Sequence, residues 1–192
     1  KAAAITMIRP GTGEITAMAQ NRKWGRSGVG YTTVNYNAPV SANGTVGFQA
    51  GSTFKAFTIG AAFKMGWDPF KVINAPAKKE FKDFKECGTG DKFAPYSVRN
   101  STGSGAFDIF SGAAFSVNTY FVGLEEKIGL CEPLAIAKAS GVQQGDGQDF
   151  AGYPCFTLGC FDVTTLDLTE GMATFAAHGV HCNSIAISAI TD

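Results

Sequence analysis

Gly51-Ser52-Thr53-Phe54-Lys55-Ala56-Phe57-Thr58-Ile59-Gly60-Ala61-Ala62-Phe63-Lys64-Met65-Gly66 is the stretch on which the reading of the chain turns. Phe54, Phe57, Thr58, Ala61, Ala62 and Met65 recur at three- and four-residue spacings, which predicts a helix with almost no polar face, and therefore a buried one. Gly51 precedes its first turn, and Gly66 and Pro69 follow its last periodic residue, so each end carries a boundary signal. Ser52 and Lys55 are three residues apart, which puts both side chains on one face of the first turn.

That pairing has a chemical use. A serine hydroxyl is a poor nucleophile at neutral pH and needs a neighbouring base; a lysine amine serves when burial and the positive helix N-terminus lower its pKa. The tetrapeptide alone is common by chance, and its setting is the stronger signal. An amine among Phe54, Phe57 and Phe63 is costly unless it is neutral or hydrogen-bonded.

Outward from this helix, Lys1 to Gln20 predicts a β-hairpin. Ala2 to Ile8 forms one strand, Arg9 to Gly13 the turn and Glu14 to Ala19 the return. A lone hairpin is only marginally stable, so further strands or a covering helix must complete it. Asn21 to Ala50 alternates Gly, Ser and Asn with aromatic residues and reads as a long ordered loop forming a wall of the site. Lys78 to Glu86 reads as an exposed strand or extended segment. Asp108 to Phe115 predicts a short helix, Ser116-Val117-Asn118 a turn, and Thr119 to Ile128 a helix ended by Gly129. Pro133 to Ser140 predicts another, ended by Gly141, and Thr164 caps a helix running to about His178. Ile185, Ile187 and Ala189 alternate as a short strand does.

With 192 residues and 45% hydrophobic content the chain can bury a sizeable core, and no repeat or linker divides it. Lys plus Arg and Asp plus Glu balance at 16 each, which leaves no charge bias towards nucleic acid or an acidic membrane surface. No eighteen-residue apolar run or signal peptide occurs, so this piece is expected to be soluble, with any anchor outside it. Five cysteines (Cys87, Cys131, Cys155, Cys160, Cys182) point to an oxidising compartment with at least one disulfide. Cys155 and Cys160 are near enough to pair across a short loop, with the connectivity left open. His178 and His181 have no third ligand nearby and read as structural; no metal or other cofactor is expected.

Several stretches together resemble the transpeptidase domain of penicillin-binding proteins, the acyl-serine enzymes that cross-link bacterial peptidoglycan. Thr33 to Asn37, Gly47 to Lys55, Leu158-Gly159 and Thr164 to Gly179 look most like the bifunctional, high-molecular-mass class of actinobacteria. The resemblance implies a β-lactamase/transpeptidase-like α/β (α+β) fold. In this reading residues 1–192 are the N-terminal portion of one transpeptidase domain: the hairpin of an antiparallel sheet plus a mostly helical body.

The family carries Ser-x-x-Lys, Ser-x-Asn and, on a later strand, Lys-Ser/Thr-Gly. Ser52 to Lys55 matches the first. Ser41-Ala42-Asn43 and Ser116-Val117-Asn118 both match the second; the latter is preferred, because it follows the nucleophile at a domain-like distance and sits between two helices. The third motif is not found. The expectation is therefore a companion polypeptide, or a longer chain, that supplies the remaining strands.

By resemblance, Ser52 attacks the carbonyl between two D-alanines of a stem peptide, Lys55 is its base, Ser116 relays the proton to the leaving group, and Asn118 binds the substrate amide and Lys55. The Ser52 N–H is half of an oxyanion hole. β-Lactam antibiotics acylate the same serine, and the site faces the cell-wall side of the plasma membrane. A D,D-carboxypeptidase shares every one of these residues. A serine β-lactamase adds a carboxylate, and no Glu occurs between Glu132 and Glu170. A non-catalytic β-lactam sensor or scaffold keeps the fold without turnover.

Overall fold

The computed structural model describes residues 1–191, which form two compact units. The chain alternates between them: Lys1–Gln49, Ala137–Phe150 and residues from Phe161 onward build the first, and Ala50–Ile136 with Ala151–Cys160 the second. Because every unit is assembled from separated segments, no one linker in the sequence could announce the division.

In chain order the strands are β1 (Ala4–Ile8), β2 (Ile15–Gln20), β3 (Lys23–Trp24), β4 (Tyr31–Thr32), β5 (Phe48–Gln49), β6 (Ile73–Ala75), β7 (Lys78–Phe81), β8 (Tyr96–Arg99), β9 (Gly105–Phe107) and β10 (Asp162–Val163). The helices are α1 (Lys55–Lys64), α2 (Ile109–Ala114), α3 (Asn118–Ile128), α4 (Cys131–Ala139) and α5 (Thr165–Ala176).

In the first unit β1 and β2 form the expected antiparallel hairpin, Ala4 opposite Gln20 and Met7 opposite Ala17. The covering helix is α5, capped by Thr164, whose hydroxyl accepts from the Asp167 N–H at 3.1 Å. Asn37 ties the layers together: its Oδ1 accepts from Thr6 Oγ1 on β1 and Thr165 Oγ1 on α5, and its Nδ2 donates to the Ala19 carbonyl of β2. The strand expected over Ile185 to Ala189 reduces to one parallel bridge, Ile185 to Glu14, with Ile15 N–H donating to the Ile185 carbonyl at 2.9 Å. Ile187 lies exposed beyond it.

The second unit holds α1 to α3 and two antiparallel pairs, β6 with β9 and β7 with β8, so the body expected to be mostly helical also contains four short strands. Its core joins Ala62 of α1, Ile73 and Ala75 of β6, and Tyr120, Phe121 and Leu124 of α3. Lys78 to Glu86 forms β7 as far as Phe81, but Phe81 and Phe84 turn inward against Val98, Val122 and Leu130. The Gly51–Gly66 segment is a 3-10 turn, Gly51–Phe54, leading into α1. Two expectations for it are corrected: Met65 and Phe63, at 53% and 47% exposure, lie outside the core, because α1 is covered on one side only, through Phe54, Phe57, Ala61 and Ala62. Helix α4 starts two residues ahead of Pro133, at Cys131, which is bonded to Cys87. Cys155 pairs with Cys160, and Cys182 is a free thiol.

Candidate active site

The site residues lie on two short structures of the second unit. The first is the junction of the 3-10 turn with α1. Phe54 is fully buried, in edge contact with Phe57 (5.3 Å between ring centroids) and tilted against Phe156 (5.1 Å). Seating Phe54 inward fixes the roll of the turn, leaving Ser52 exposed and Lys55 only 5% exposed. The second is the link between α2 and α3. Asp108 and Ser111 form a reciprocal capping box that starts α2. Its end is sharp: Ser116 takes a left-handed conformation (φ 50°), Val117 is fully buried, and Asn118 opens α3. With Val117 seated inward, Ser116 and Asn118 on either side of it both reach Lys55.

Lys55 Nζ lies 3.0 Å from Ser52 Oγ and 2.8 Å from each of Ser116 Oγ, the Ser116 carbonyl and Asn118 Oδ1. Ser116 Oγ is 3.1 Å from Ser52 Oγ. The Phe121 ring covers the amine at 5.3 Å from its centroid. Aromatic shielding therefore comes from Phe121 rather than from Phe63. Burial lowers the Lys55 pKa from 10.5 to about 8. Two of the four contacts, the Ser116 carbonyl and Asn118 Oδ1, can only accept. A neutral amine that gives its two hydrogens to them keeps its lone pair for a serine hydroxyl.

Asn118 is held in this orientation because its Nδ2 donates to the Arg99 carbonyl at the end of β8. Asn100, the next residue, supplies what the start of α3 lacks. Val117 offers no side-chain cap, and Asn100 Oδ1 accepts from Thr119 N–H at 2.8 Å instead. Asn100 Nδ2 also donates to Thr119 Oγ1 at 2.9 Å. Arg99, Asn100 and Phe121 carry no motif of their own; the contact of β8 with α3 recruits the first two.

Ser52, Lys55, Ser116 and Asn118 are thus brought into one cluster. Ser41 and Asn43 lie in the first unit, exposed around a 3-10 turn at Val40–Ala42, where Asn43 Nδ2 donates to the Thr33 carbonyl. His181 pairs with Glu170 at 2.7 Å, and the second Glu170 oxygen accepts from Ser184 N–H, which pins the chain after α5. His178 occupies a left-handed position (φ 56°) just beyond the helix.

The fold is of the β-lactamase/transpeptidase-like class. Within that class the chain belongs to the penicillin-binding protein transpeptidase domain family, whose family model matches residues 3–192. It is 27% identical over 189 residues to penicillin-binding protein 1A of Aquifex aeolicus (strain VF5), covering 98% of this chain and 23% of that protein. Among solved structures it resembles the penicillin-binding protein PonA1 of Mycobacterium tuberculosis (TM-score 0.67, 21% identity, 96% of this chain and 44% of that one). It also resembles penicillin-binding protein A of M. tuberculosis as its penicillin G acyl-enzyme complex (TM-score 0.70, 19% identity, 93% and 47%). The chain spans about a quarter of the curated relative and less than half of either solved structure. No helix among the described residues is long and apolar enough to cross a membrane.

Proposed function

We propose that this chain carries the nucleophile and proton-transfer groups of a D,D-transpeptidase that cross-links peptidoglycan and is acylated by β-lactams. The observation that carries the reading is one buried lysine amine, with a pKa of about 8, in contact with both Ser52 and Ser116 and oriented by Asn118.

Ser52 Oγ attacks the carbonyl carbon of the penultimate D-alanine of a stem peptide while its proton passes to the neutral Lys55 amine. The tetrahedral oxyanion leans on the Ser52 N–H, at a helix start where amides lack intrahelical partners. On collapse the C–N bond breaks. Ser116 Oγ–H protonates the departing nitrogen of the terminal D-alanine and is itself reprotonated by the Lys55 ammonium, leaving an ester on Ser52. An amine of a second stem peptide then attacks the ester, its proton returning along the same path, and Ser52 is regenerated. Asn118 bonds the substrate backbone. The acyl-enzyme complex of penicillin-binding protein A supports extending β-lactam acylation to this relative.

In this reading residues 1–192 are one portion of a single transpeptidase domain. The Lys-Thr/Ser-Gly motif and the second oxyanion donor come from a companion segment, and the assembled site faces the cell wall outside the plasma membrane. Denaturing mass spectrometry with a fluorescent penicillin tests it. A label mapped to Ser52 with a second segment present is the expected result; a label elsewhere overturns the site. Donor peptide offered with an acceptor amine then separates transfer from the hydrolysis of a carboxypeptidase.

A further inference from the structure

The six residues Cys155 to Cys160 close on themselves through a disulfide, with their Cα atoms 5.7 Å apart, and enclose the 3-10 turn Phe156–Leu158. This loop grips the backbone carrying Ser52 and Lys55 at three points. Ahead of the serine, Gly51 N–H donates to the Gly159 carbonyl at 3.0 Å. The approach is so close that a Cβ on Gly159 would lie 2.1 Å from the Gly51 carbonyl oxygen, and Gly159 itself is left-handed (φ 63°). Between serine and lysine, the fully buried Phe156 ring packs on Phe54. Beyond the lysine, Thr58 Oγ1 and Thr157 Oγ1, both fully buried, are hydrogen-bonded at 2.8 Å.

The loop is itself seated on the body of the unit. Leu158 packs against the cluster of Phe81, Phe84, Val98, Val122 and Leu130. The reactive cluster's hydrogen bonds run among Ser52, Lys55, Ser116, Asn118 and Arg99, so the loop holds the backbone beneath them. Gly51 is left-handed too (φ 60°), and two glycine-dependent conformations facing each other across one hydrogen bond have little local preference to hold them. A short covalent ring supplies that restraint.

We infer that the Cys155–Cys160 loop is a positioning element for the nucleophile: its covalent closure fixes the Gly51–Ser52 backbone, and opening it slows acylation of Ser52 while leaving recognition of the acylating agent intact. This rests on the acyl-serine reading above. The other disulfide is the natural control. Cys87–Cys131 closes a far longer stretch, with a sequence separation of 44 against 5, and should matter more to stability and less to acylation.

The test uses the full-length natural protein carrying this chain, in unaltered form, as Cys155→Ala with Cys160→Ala, and as Cys87→Ala with Cys131→Ala. Saturation kinetics with a fluorescent penicillin separate the noncovalent Kd from the acylation rate constant. Opening the 155–160 loop is expected to lower the rate constant about 10- to 100-fold with Kd held within about twofold. The 87–131 form is expected to lose more in Tm and keep its rate constant. An unchanged rate constant in the 155–160 form, or equal falls in both, overturns the inference.

If the 155–160 form does not fold, hydrogen exchange at the Gly51 and Ser52 amides of the unaltered protein decides, measured before and after reduction, with the opened cysteines mapped. Faster exchange on opening of 155–160 supports the inference, and indifference overturns it. An unaltered protein that takes no label on Ser52 is a different failure: the acyl-serine reading falls, and this inference with it.

Discussion

Ser116 Oγ lies 3.1 Å from Ser52 Oγ, although 64 residues separate them in sequence. With Lys55 Nζ 3.0 Å from one and 2.8 Å from the other, the two hydroxyls and the amine form a closed triangle. A proton can pass between any two corners without backbone motion. Removing or charging one corner therefore changes what the other two can do.

Acylation of Ser52 should follow the neutral fraction of Lys55. With its pKa lowered to about 8 by burial, the rate should rise about tenfold per pH unit below that value and level off above it. Lys55→Arg, which cannot deprotonate, should abolish the rise. The stability sign is opposite to that of a salt-bridged lysine. Between about 8 and 10.5 the unfolded chain holds this proton and the folded one does not, so a destabilisation present below pH 8 is relieved as pH climbs through that window. Stopped-flow labelling and Tm measured against pH check both.

Ser116 sits at φ 50°, a conformation that disfavours any side chain. Ser116→Ala and Ser116→Gly should both lose about 10²- to 10⁴-fold in acylation rate, since both lack the hydroxyl. They should differ in stability, the glycine form being firmer by about 1 kcal/mol because it adopts this conformation without strain. Denaturant unfolding beside the labelling assay separates the two effects.

Glu125, on α3, is fully buried, and burial pushes its pKa well above the usual carboxylate value. The Thr157 backbone pulls the other way, and burial outweighs it. As pH rises past 4.5 the unfolded chain releases this proton first, so the folded state loses ground with increasing pH. Glu125→Gln removes that slope. Its Tm relative to the unaltered protein should be more favourable at about pH 8 than at about pH 5.

Loop-closure entropy ranks the two disulfides. Opening Cys87–Cys131 should cost roughly 4 kcal/mol and opening Cys155–Cys160 roughly 2 kcal/mol. Equilibrium unfolding of the two paired-alanine forms gives the order directly.

What the sequence discloses is what is local. The hairpin, the Ser52–Lys55 spacing, the Asp108 and Thr164 starts and the Gly129 stop are written in neighbouring residues, and they stand where the structure has them. Asn100 capping α3, Phe121 over Lys55 and the pairing of Cys87 with Cys131 depend on partners far along the chain. Periodicity also marks Met65 as inward because it counts apolar residues without knowing which side of the helix is covered, and Phe63, expected beside the Lys55 amine, is exposed for the same reason. Preference for Ser116-Val117-Asn118 over Ser41-Ala42-Asn43 draws on resemblance; the tripeptides alone do not decide it.

Strand β1 turns Thr6 inward, while Ile5 and Met7 face out at 59% and 56% exposure. Hydrophobicity alone would favour the opposite face. Asn37, accepting from Thr6 and Thr165, holds the opposite arrangement, so polar complementarity fixes which face of β1 meets α5 against the pull of its own apolar side chains. Thr6→Val would therefore do more than delete one bond. It would take from β1 the hydroxyl that meets both Asn37 and Thr165, and so the side-chain link between this strand and α5.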